Sequence, residues 1–345
     1  MMNKKSVKIW LIVVASLTVA LLAATIILWP TLWKKVDPDT IPGTVIFGSE
    51  SDKINGYADV TLYGAKADDG KDDTAAFKKA AETGAGVYVP LGTFEIKETV
   101  TLRGQNFKGA GMDRTVLRFG GKGTIVDAKG AAVIEDMTLT FGENDIKGDE
   151  TEGQQVAIKN SGMTGGAMIK AVRLINIGTG LYSPLEDVEM NAFTVESLIV
   201  QKFSYKAIQM KDAASTIFRT TRIGESLGEV DAAVSMTGSF TLDQISFFST
   251  TCKYALELKD CESAIVNTVL FEGVAPTSGS LIKVENSAFT FRSAAVKTCT
   301  AQNLIALEDG AEGACSTGKV NLLWTDGKIA VDAQNKIPCD SSKSQ

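Results

Sequence analysis

Short apolar segments recur along the chain from residue 158 onward at a nearly constant spacing. The steps between equivalent inward-facing positions are 23, 27, 26, 22, 26 and 23 residues. A second set of segments steps by 23, 24, 24 and 25 residues. Self-similarity at a fixed period predicts a solenoid with at least two strands per coil. The first set is Ile158, Leu181, Ile208, Val234, Leu256, Ile282 and Ile305, and the second begins at Phe193, Thr216, Phe240, Ala264 and Phe289.

The polar residues between these apolar positions predict ladders on the solenoid surface. Side chains alternate along a strand, and neighbouring coils stack about 4.8 Å apart, so outward residues of successive coils lie side by side. The first set predicts the rows Gln209, Ser235, Glu257, Lys283, Ala306 and Lys211, Thr237, Lys259, Glu285, Glu308, and the second set predicts Glu196, Arg219, Asp243, Asn267, Arg292.

The stretch from Val60 to Ile96 predicts a strand, an acidic loop, a short helix and another strand. Asp72 or Asp73 is a suitable N-cap, and apolar positions favour a helix over residues 75–82 that ends before Gly84. A solenoid needs a cover over its first coil, because an open end exposes a sheet edge and the core. We interpret this helix as that cover.

The motifs of this stretch resemble those that open the right-handed parallel β-helices of the pectate-lyase superfamily. They are Tyr63-Gly64-Ala65, the acidic loop from Asp69 to Thr74, and Val89-Pro90-Leu91-Gly92-Thr93-Phe94. The resemblance implies an all-β fold, a right-handed parallel β-helix solenoid with a short N-terminal capping helix. It also implies a polysaccharide ligand on an outward strand face, and a lyase or a glycoside hydrolase if the chain is an enzyme.

Candidate chemistry is restricted because the chain has no histidine, which removes a His-based acid or base. The polygalacturonase-like hydrolase motifs are also absent, so the resemblance does not extend to a catalytic signature. The candidate catalytic residues are Glu257, Lys259, Lys283 and Glu285, which are expected on adjacent coils. A solvated charge ladder is the alternative interpretation of these four residues.

A second group of residues is a candidate for substrate binding. Arg219 and Arg222 with Asp243 would hold a uronate carboxylate through a bidentate contact, with ladder pairing as the alternative. Gln209 and Lys211, which are outward-facing residues of the first set of strands, are added to this group. The substrate-binding candidates are Gln209, Lys211, Arg219, Arg222 and Asp243.

Two acidic segments raise the question of a cation, although no metal site is assigned. Several oxygen ligands lie close together in the acidic loop, so Ca2+ is a candidate there beside the simpler role of capping and turn formation. A second acidic segment would wall a groove, bind a cation or remain a solvated loop. It contains Glu143, Asp145, Asp149, Glu150 and Glu152.

The N-terminal region predicts a single-pass membrane protein. Residues 9–29 are an uncharged apolar run with lysines on both sides, and the flanking tryptophans suit a membrane interface, although a cleaved signal peptide is the alternative. The solenoid is expected to be extracytoplasmic because of the resemblance. The predicted divisions are a cytoplasmic N-terminus 1–8, a transmembrane anchor 9–33, a linker 34–56, a β-helix domain 57–333 and a tail 334–345.

The net charge restricts the class of partner, and the cysteine positions restrict the disulfides that could form. The net charge of −6 argues against nucleic acid, which favours a basic face. The five cysteines include no Cys-x-x-Cys pair, and Cys252 and Cys299 are expected two coils apart, too far for a disulfide.

Two functions follow from these observations. The first is a membrane-anchored protein that acts on or binds polysaccharide, with possible protein partners along the solenoid face. The alternative is a noncatalytic structural or assembly solenoid of the cell envelope. A groove with converging carboxylates or a cation site would favour an enzyme, a groove without them would favour a binder, and a flat face with apolar patches would favour a scaffold.

Overall fold

Parallel strands that stack coil upon coil dominate the computed structural model, which describes residues 56–142, 145–184, 192–307, 312–313 and 321–325. The strands form a right-handed parallel β-solenoid of about 10 turns. Most strands pair with an equivalent strand one coil further along the chain. The predicted all-β solenoid is confirmed.

The elements follow one another with short connections. The first third contains β1 (Tyr57–Asp59), a 3-10 turn (Val60–Tyr63), α1 (Thr74–Glu82), β2 (Gly86–Val89), β3 (Gly92–Ile96), β4 (Val100–Arg103), β5 (Phe107–Gly109), β6 (Thr115–Phe119), β7 (Thr124–Gly130) and β8 (Val133–Phe141). The middle contains β9 (Val156–Met163), β10 (Met168–Ser183), β11 (Thr194–Arg219), β12 (Thr221–Gly224), β13 (Val230–Phe248), β14 (Thr251–Lys259) and β15 (Ser263–Glu272). The remainder contains β16 (Ala275–Pro276), β17 (Ser280–Glu285), β18 (Ala288–Lys297), β19 (Asn303–Leu307), β20 (Glu312–Gly313) and β21 (Asn321–Thr325).

The register of the strands follows the first set of apolar positions. Ile208 pairs with Val234, Val234 with Leu256, and Leu256 with Ile282. The other three predicted steps are also register pairs. The set continues toward the N-terminus, because Val126 pairs with Ile158 and Val100 pairs with Val126. One continuous sheet face therefore runs along the described solenoid.

The core is a column of apolar side chains inside the coils. Phe119 and Phe141 meet edge to face at 5.3 Å, and Phe247 and Phe271 stack at 5.3 Å on coils further along. All four are buried. Such aromatic pairs stabilise by about 0.5–1.5 kcal/mol beyond their buried area, so they fix neighbouring coils in register.

The helix α1 covers the first coil, as the sequence predicts. Phe77 is fully buried and contacts the rings of Phe94 and Phe107 at 6.0 and 6.4 Å between centroids. The helix begins at Thr74, whose amide donates to Asp72 Oδ1 at 3.0 Å. The Phe77 ring therefore packs the helix against the core, and an Asx-type hydrogen bond between Thr74 and Asp72 stabilises its first turn.

The neighbouring Asp73 occupies the N-cap position, but its side chain accepts hydrogen bonds from amides outside the helix. Its carboxylate accepts the amides of Lys66 at 2.9 Å and Glu95 at 3.3 Å, and so ties the acidic loop to β3. Burial raises the pKa of Asp73, although these two hydrogen bonds oppose the effect. The loop carboxylates thus serve turn formation.

A repeated left-handed corner follows the apolar positions of the first set. The residue four positions after the inward apolar position has a positive φ at Asp212, Asp260 and Asn286 (52°, 51° and 43°). Gly238 occupies the same place with φ 87°. Asp, Asn and Gly tolerate this conformation best, so the corner is encoded locally.

The predicted localisation, a single-pass membrane protein with an extracytoplasmic solenoid, is wrong. Across the described ranges, no helix is long and apolar enough to span a bilayer. The α-helix in these ranges, α1, has 9 residues and a length of roughly 14 Å, against about 30 Å of hydrocarbon. Segments 1–8, 9–33 and 334–345, and the linker apart from its last residue, lie outside the described residues.

Three cysteines fall in the described solenoid. Cys252, Cys261 and Cys299 are buried, and none of the three forms a disulfide, so Cys252 and Cys299 are not bridged. Burial raises the pKa of Cys252 to about 12 and that of Cys261 to about 11. The thiols of Cys252 and Cys261 are therefore inert core groups at neutral pH.

Candidate functional site

One row of outward-facing polar side chains runs from coil to coil on the sheet face formed by the first set of strands. Register pairs place Tyr182 beside Gln209, Gln209 beside Ser235, Ser235 beside Glu257, and Glu257 beside Lys283. We call these five residues the polar row. They come from β10, β11, β13, β14 and β17, so the solenoid spacing brings together residues about a hundred positions apart.

Glu257 is the centre of the polar row. Its carboxylate accepts the Ser235 hydroxyl at 2.9 Å and lies 3.6 Å from Lys283 Nζ and 4.0 Å from Lys206 Nζ. The side chains of Lys206 and Glu257 are 7% and 15% exposed. A nearly buried ammonium requires a counter-charge, and the Glu257 carboxylate is the partner that lies near Lys206.

Glu285 lies at the edge of the same face, two residues after Lys283. Its two carboxylate oxygens contact Lys283 Nζ at 2.7 Å and Lys259 Nζ at 2.9 Å. Hydrogen bonds from Lys283 and then Lys259 lower the pKa of Glu285 to about 2. This carboxyl is therefore ionised at any physiological pH.

A loop from the second acidic segment lies over the Tyr182 end of the polar row. We call residues 145–155 the acidic strap. Ser204 donates its hydroxyl to Glu150 at 2.5 Å, and the amides of Lys147 and Gly148 donate to the same carboxylate at 2.7 and 2.9 Å. Although burial disfavours the charged form, these hydrogen bonds lower the pKa of Glu150.

Glu152 of the acidic strap contacts the polar row directly. The Tyr182 hydroxyl donates to Glu152 Oε1 at 3.0 Å, and Lys211 Nζ lies 3.2 Å from the same oxygen. The Gln209 side chain also donates to this carboxylate. Burial favours the neutral acid, but the bonds from Lys211 and Tyr182 outweigh it and lower the pKa of Glu152.

Tyrosine rings flank both carboxylates. Burial, and then Glu152, raise the pKa of Tyr182 to about 12. Burial raises the pKa of Tyr205, and Glu152, Asp231 and Glu257 add to the rise in that order. Lys283 Nζ is 5.9 Å from the ring centre of Tyr254.

The structure brings six of the predicted site residues to this one face. They are Gln209, Lys211, Glu257, Lys259, Lys283 and Glu285. Lys283 bridges Glu257 and Glu285, the arrangement expected of a charge ladder. Their catalytic and binding roles stay predictions.

The remaining predicted residues lie on other strands. Arg219 ends β11, and Arg222 lies in β12 with its guanidinium 5.3 Å from the ring centre of Phe248. Asp243 accepts a hydrogen bond of 2.9 Å from Asn267 on the next coil. This group is a separate surface from the polar row, and its role as a uronate clamp stays a prediction.

Contributors outside the predicted site residues include Glu152, Tyr182, Tyr205 and Lys206. Glu152 belongs to the second acidic segment, for which the sequence left a groove wall, a cation site and a solvated loop open, and in the structure Glu150 and Glu152 contact Ser204, Tyr182 and Lys211. Glu143 lies outside the described residues. The period of the solenoid gives Tyr182 a place in the row, since it is one residue after Leu181.

The acidic loop near α1 has its carboxylates engaged by the backbone. Asp68 accepts the amide of Thr93, Asp69 that of Lys71, and Asp72 that of Thr74, at 2.9, 2.9 and 3.0 Å. Within the described ranges, no group of three or more His, Cys, Asp or Glu residues has the arrangement of a metal site.

Comparisons with known proteins agree with this fold. Residues 57–197 match the family model "Rhamnogalacturonase A/epimerase, pectate lyase-like". The chain is 36% identical over 90 residues to the pre-neck appendage protein of Bacillus phage phi29, an alignment that covers 25% of this chain. The chain spans about a tenth of the length of the curated relatives that it matches.

Solved structures with this architecture include phage and bacterial proteins. A tailspike of an Acinetobacter phage superposes with a TM-score of 0.56 at 10% identity, over 71% of this chain and 46% of the tailspike. The A-module of a mannuronan C-5 epimerase from Azotobacter vinelandii gives a TM-score of 0.46 at 11% identity, over 77% and 94% of the two chains. The described solenoid is a parallel β-helix, and residues 57–197 of it match a pectate-lyase-like family model.

Proposed function

We propose that this chain is a noncatalytic β-helix module with a structural or assembly role. The observation that carries this proposal is the pairing of charges on the polar row and on Glu285 beside it. Glu257 lies between two lysines, and Glu285 bridges two lysines. A carboxylate held in this way stabilises a coil-to-coil ladder.

Polysaccharide hydrolysis by two carboxyl groups requires one of them to be protonated near neutral pH. Glu152 and Glu285 have lowered pKa values, so neither donates a proton readily. A raised carboxyl pKa occurs at Asp73, which binds two backbone amides under the helical cap, away from the polar row. This arrangement favours a scaffold over a hydrolase.

The relatives support a role in an assembly. The 90-residue alignment is to a pre-neck appendage protein, which by its name is a part of a phage particle. Because the aligned stretch is a quarter of this chain and a tenth of that protein, the role of an appendage module is carried over as a proposal. The long parallel faces offer regular surfaces for protein contacts.

Incubation with polysaccharides tests this function. The full chain is mixed with a panel of neutral and acidic polymers, with calcium or with a chelator, and new reducing ends and unsaturated chain ends are measured. We expect no release above a boiled control. Sustained release from any polymer would overturn the noncatalytic function.

Polysaccharide binding is the second candidate, because Tyr182, Tyr205 and Tyr254 flank a half-buried polar surface. Tyrosine rings with neighbouring hydrogen-bonding groups suit sugar faces and hydroxyls. If turnover is observed, Glu257→Gln and Lys283→Met test the predicted catalytic residues, and unchanged rates in both would remove them from that role. If only binding is observed, the same variants locate it.

A further inference from the structure

The donors around Glu152 have the arrangement of a receptor for a carboxylate. Tyr182, Lys211 and Gln209 belong to two adjacent strands, β10 and β11, and all three donate to the same carboxylate group. Three convergent donors, one of them charged, form charge-assisted hydrogen bonds of the stronger kind.

The two sides of this contact differ in burial. Tyr182 and Gln209 are 9% and 8% exposed and are fixed in the strand register, whereas the Glu152 side chain is 41% exposed on a loop. The receptor is therefore rigid and preorganised, and its occupant is the more easily displaced partner.

One buried oxygen of the receptor accepts no hydrogen bond while Glu152 occupies the site. A ligand with an additional donor would therefore fit the receptor better than Glu152 does. Gln209 Oε1 is buried and accepts no hydrogen bond, while the same side chain donates to Glu152. A buried acceptor without a donor is unfavourable by about 1–3 kcal/mol. A ligand that carries a hydroxyl next to its carboxylate would supply the missing donor.

We propose that Tyr182, Gln209 and Lys211 form a binding site for hydroxy-carboxylates, and that the chain's own Glu152 fills this site and competes with the ligand. The ligand carboxylate takes the position of the Glu152 carboxylate, and its hydroxyl donates to Gln209 Oε1. The site does not depend on the noncatalytic function, because it rests on these donors alone.

Competition by a tethered carboxylate gives a measurable signature. A group attached to the strap acts at a high effective concentration, which weakens the apparent affinity for any external carboxylate. Removing Glu152 should therefore raise affinity, and a change elsewhere on the strap should not. Asp149 is an exposed strap residue of the same charge type, so it provides the matched control.

The test uses the full chain, calorimetry and two probes, glycolate and acetate. We expect Glu152→Ala to bind glycolate at least about tenfold more tightly than the wild type, and Asp149→Ala to match the wild type. Glycolate should bind more tightly than acetate to Glu152→Ala, because acetate lacks the hydroxyl. Tyr182→Phe or Lys211→Met in the Glu152→Ala background should remove the gain.

Several results would overturn the site. These are equal glycolate affinity in Glu152→Ala and the wild type, no binding to either, no preference for glycolate over acetate, or a gain that survives Lys211→Met. If Glu152→Ala does not fold, carbon NMR of the wild type replaces it. Saturating glycolate should then shift the Glu152 carboxyl resonance, and an unchanged resonance would overturn the proposal.

Discussion

Lys283 Nζ lies 2.7 Å from Glu285 Oε2, and the two residues are separated by a single position on β17. Because alternate residues of a strand face the same side, both side chains project from the sheet face. Lys259 on the preceding coil contacts the other oxygen of Glu285 at 2.9 Å. The ladder thus has links along a strand as well as between coils.

Acid should weaken the protein through Glu285. Its pKa of about 2 lies below that of an unfolded glutamate, so its ion pairs stabilise the fold above about pH 4.5 and are lost as the pH falls toward 2. Urea unfolding at pH 7 and pH 3 should show a smaller acid-induced loss in Glu285→Gln, by about 1 kcal/mol. Glu262→Gln, at an exposed position, is the control and should behave as the wild type.

Glu257→Ala should destabilise the fold because it leaves the Lys206 ammonium nearly buried without its counter-charge. We expect a loss of about 3 kcal/mol in the free energy of unfolding. Lys206→Met added to Glu257→Ala should restore part of that loss. Asp231→Ala removes a well-exposed partner of Lys253 and should change stability by about 0.5 kcal/mol or less. Equal losses in Glu257→Ala and Asp231→Ala would contradict a buried role for Glu257.

Gly238→Ala should disrupt a coil corner. A Cβ at Gly238 would lie 2.3 Å from the carbonyl oxygen of Ala213, and φ is already 87°. We expect a loss of about 2 kcal/mol or more, measured by thermal unfolding. Gly165→Ala is the control, since a Cβ there meets nothing within 4 Å and φ is ordinary, so it should be nearly neutral. Similar effects of both substitutions would contradict the corner geometry.

Phe77→Ala should loosen the helical cover. The ring is fully buried against Phe94 and Phe107, so its removal should lower stability by about 3–5 kcal/mol. Hydrogen exchange should rise first in β1 to β5, next to the cover, and later in β13 to β18. Leu91→Ala, at a side chain that is 58% exposed, should leave exchange unchanged. Uniform exchange along the solenoid in Phe77→Ala would contradict a local role for the cap.

The sequence predicts the repeating parts of this fold because the repeat is local. The spacing of Ile208, Val234, Leu256 and Ile282 gives the register directly, and the residue four positions later is Asp, Gly, Asp or Asn, which suits a left-handed corner. The same spacing places Glu257 beside Lys283. These features depend on position within a coil and on nothing further away.

The contacts that the sequence does not predict depend on the length of a side chain or on the path of a loop. Lys206 extends from β11 to Glu257 two coils away, and no periodic pattern reports such a contact. Glu152 reaches Tyr182 because of how the acidic strap crosses the face, and the strap lies outside the repeat. The acidic character of the strap was visible in the sequence, whereas its partners were not.

The direct test of the noncatalytic role is a pH titration of the glutamate side-chain carboxyls by carbon NMR in the native full chain. We expect the carboxyls of Glu152 and Glu285 to titrate below their ordinary value, with Glu285 near 2. Such values would identify them as ionised partners of lysine and tyrosine in the ligand-free chain. Titration of either carboxyl near neutral pH would instead identify a general acid on this face and contradict the structural role.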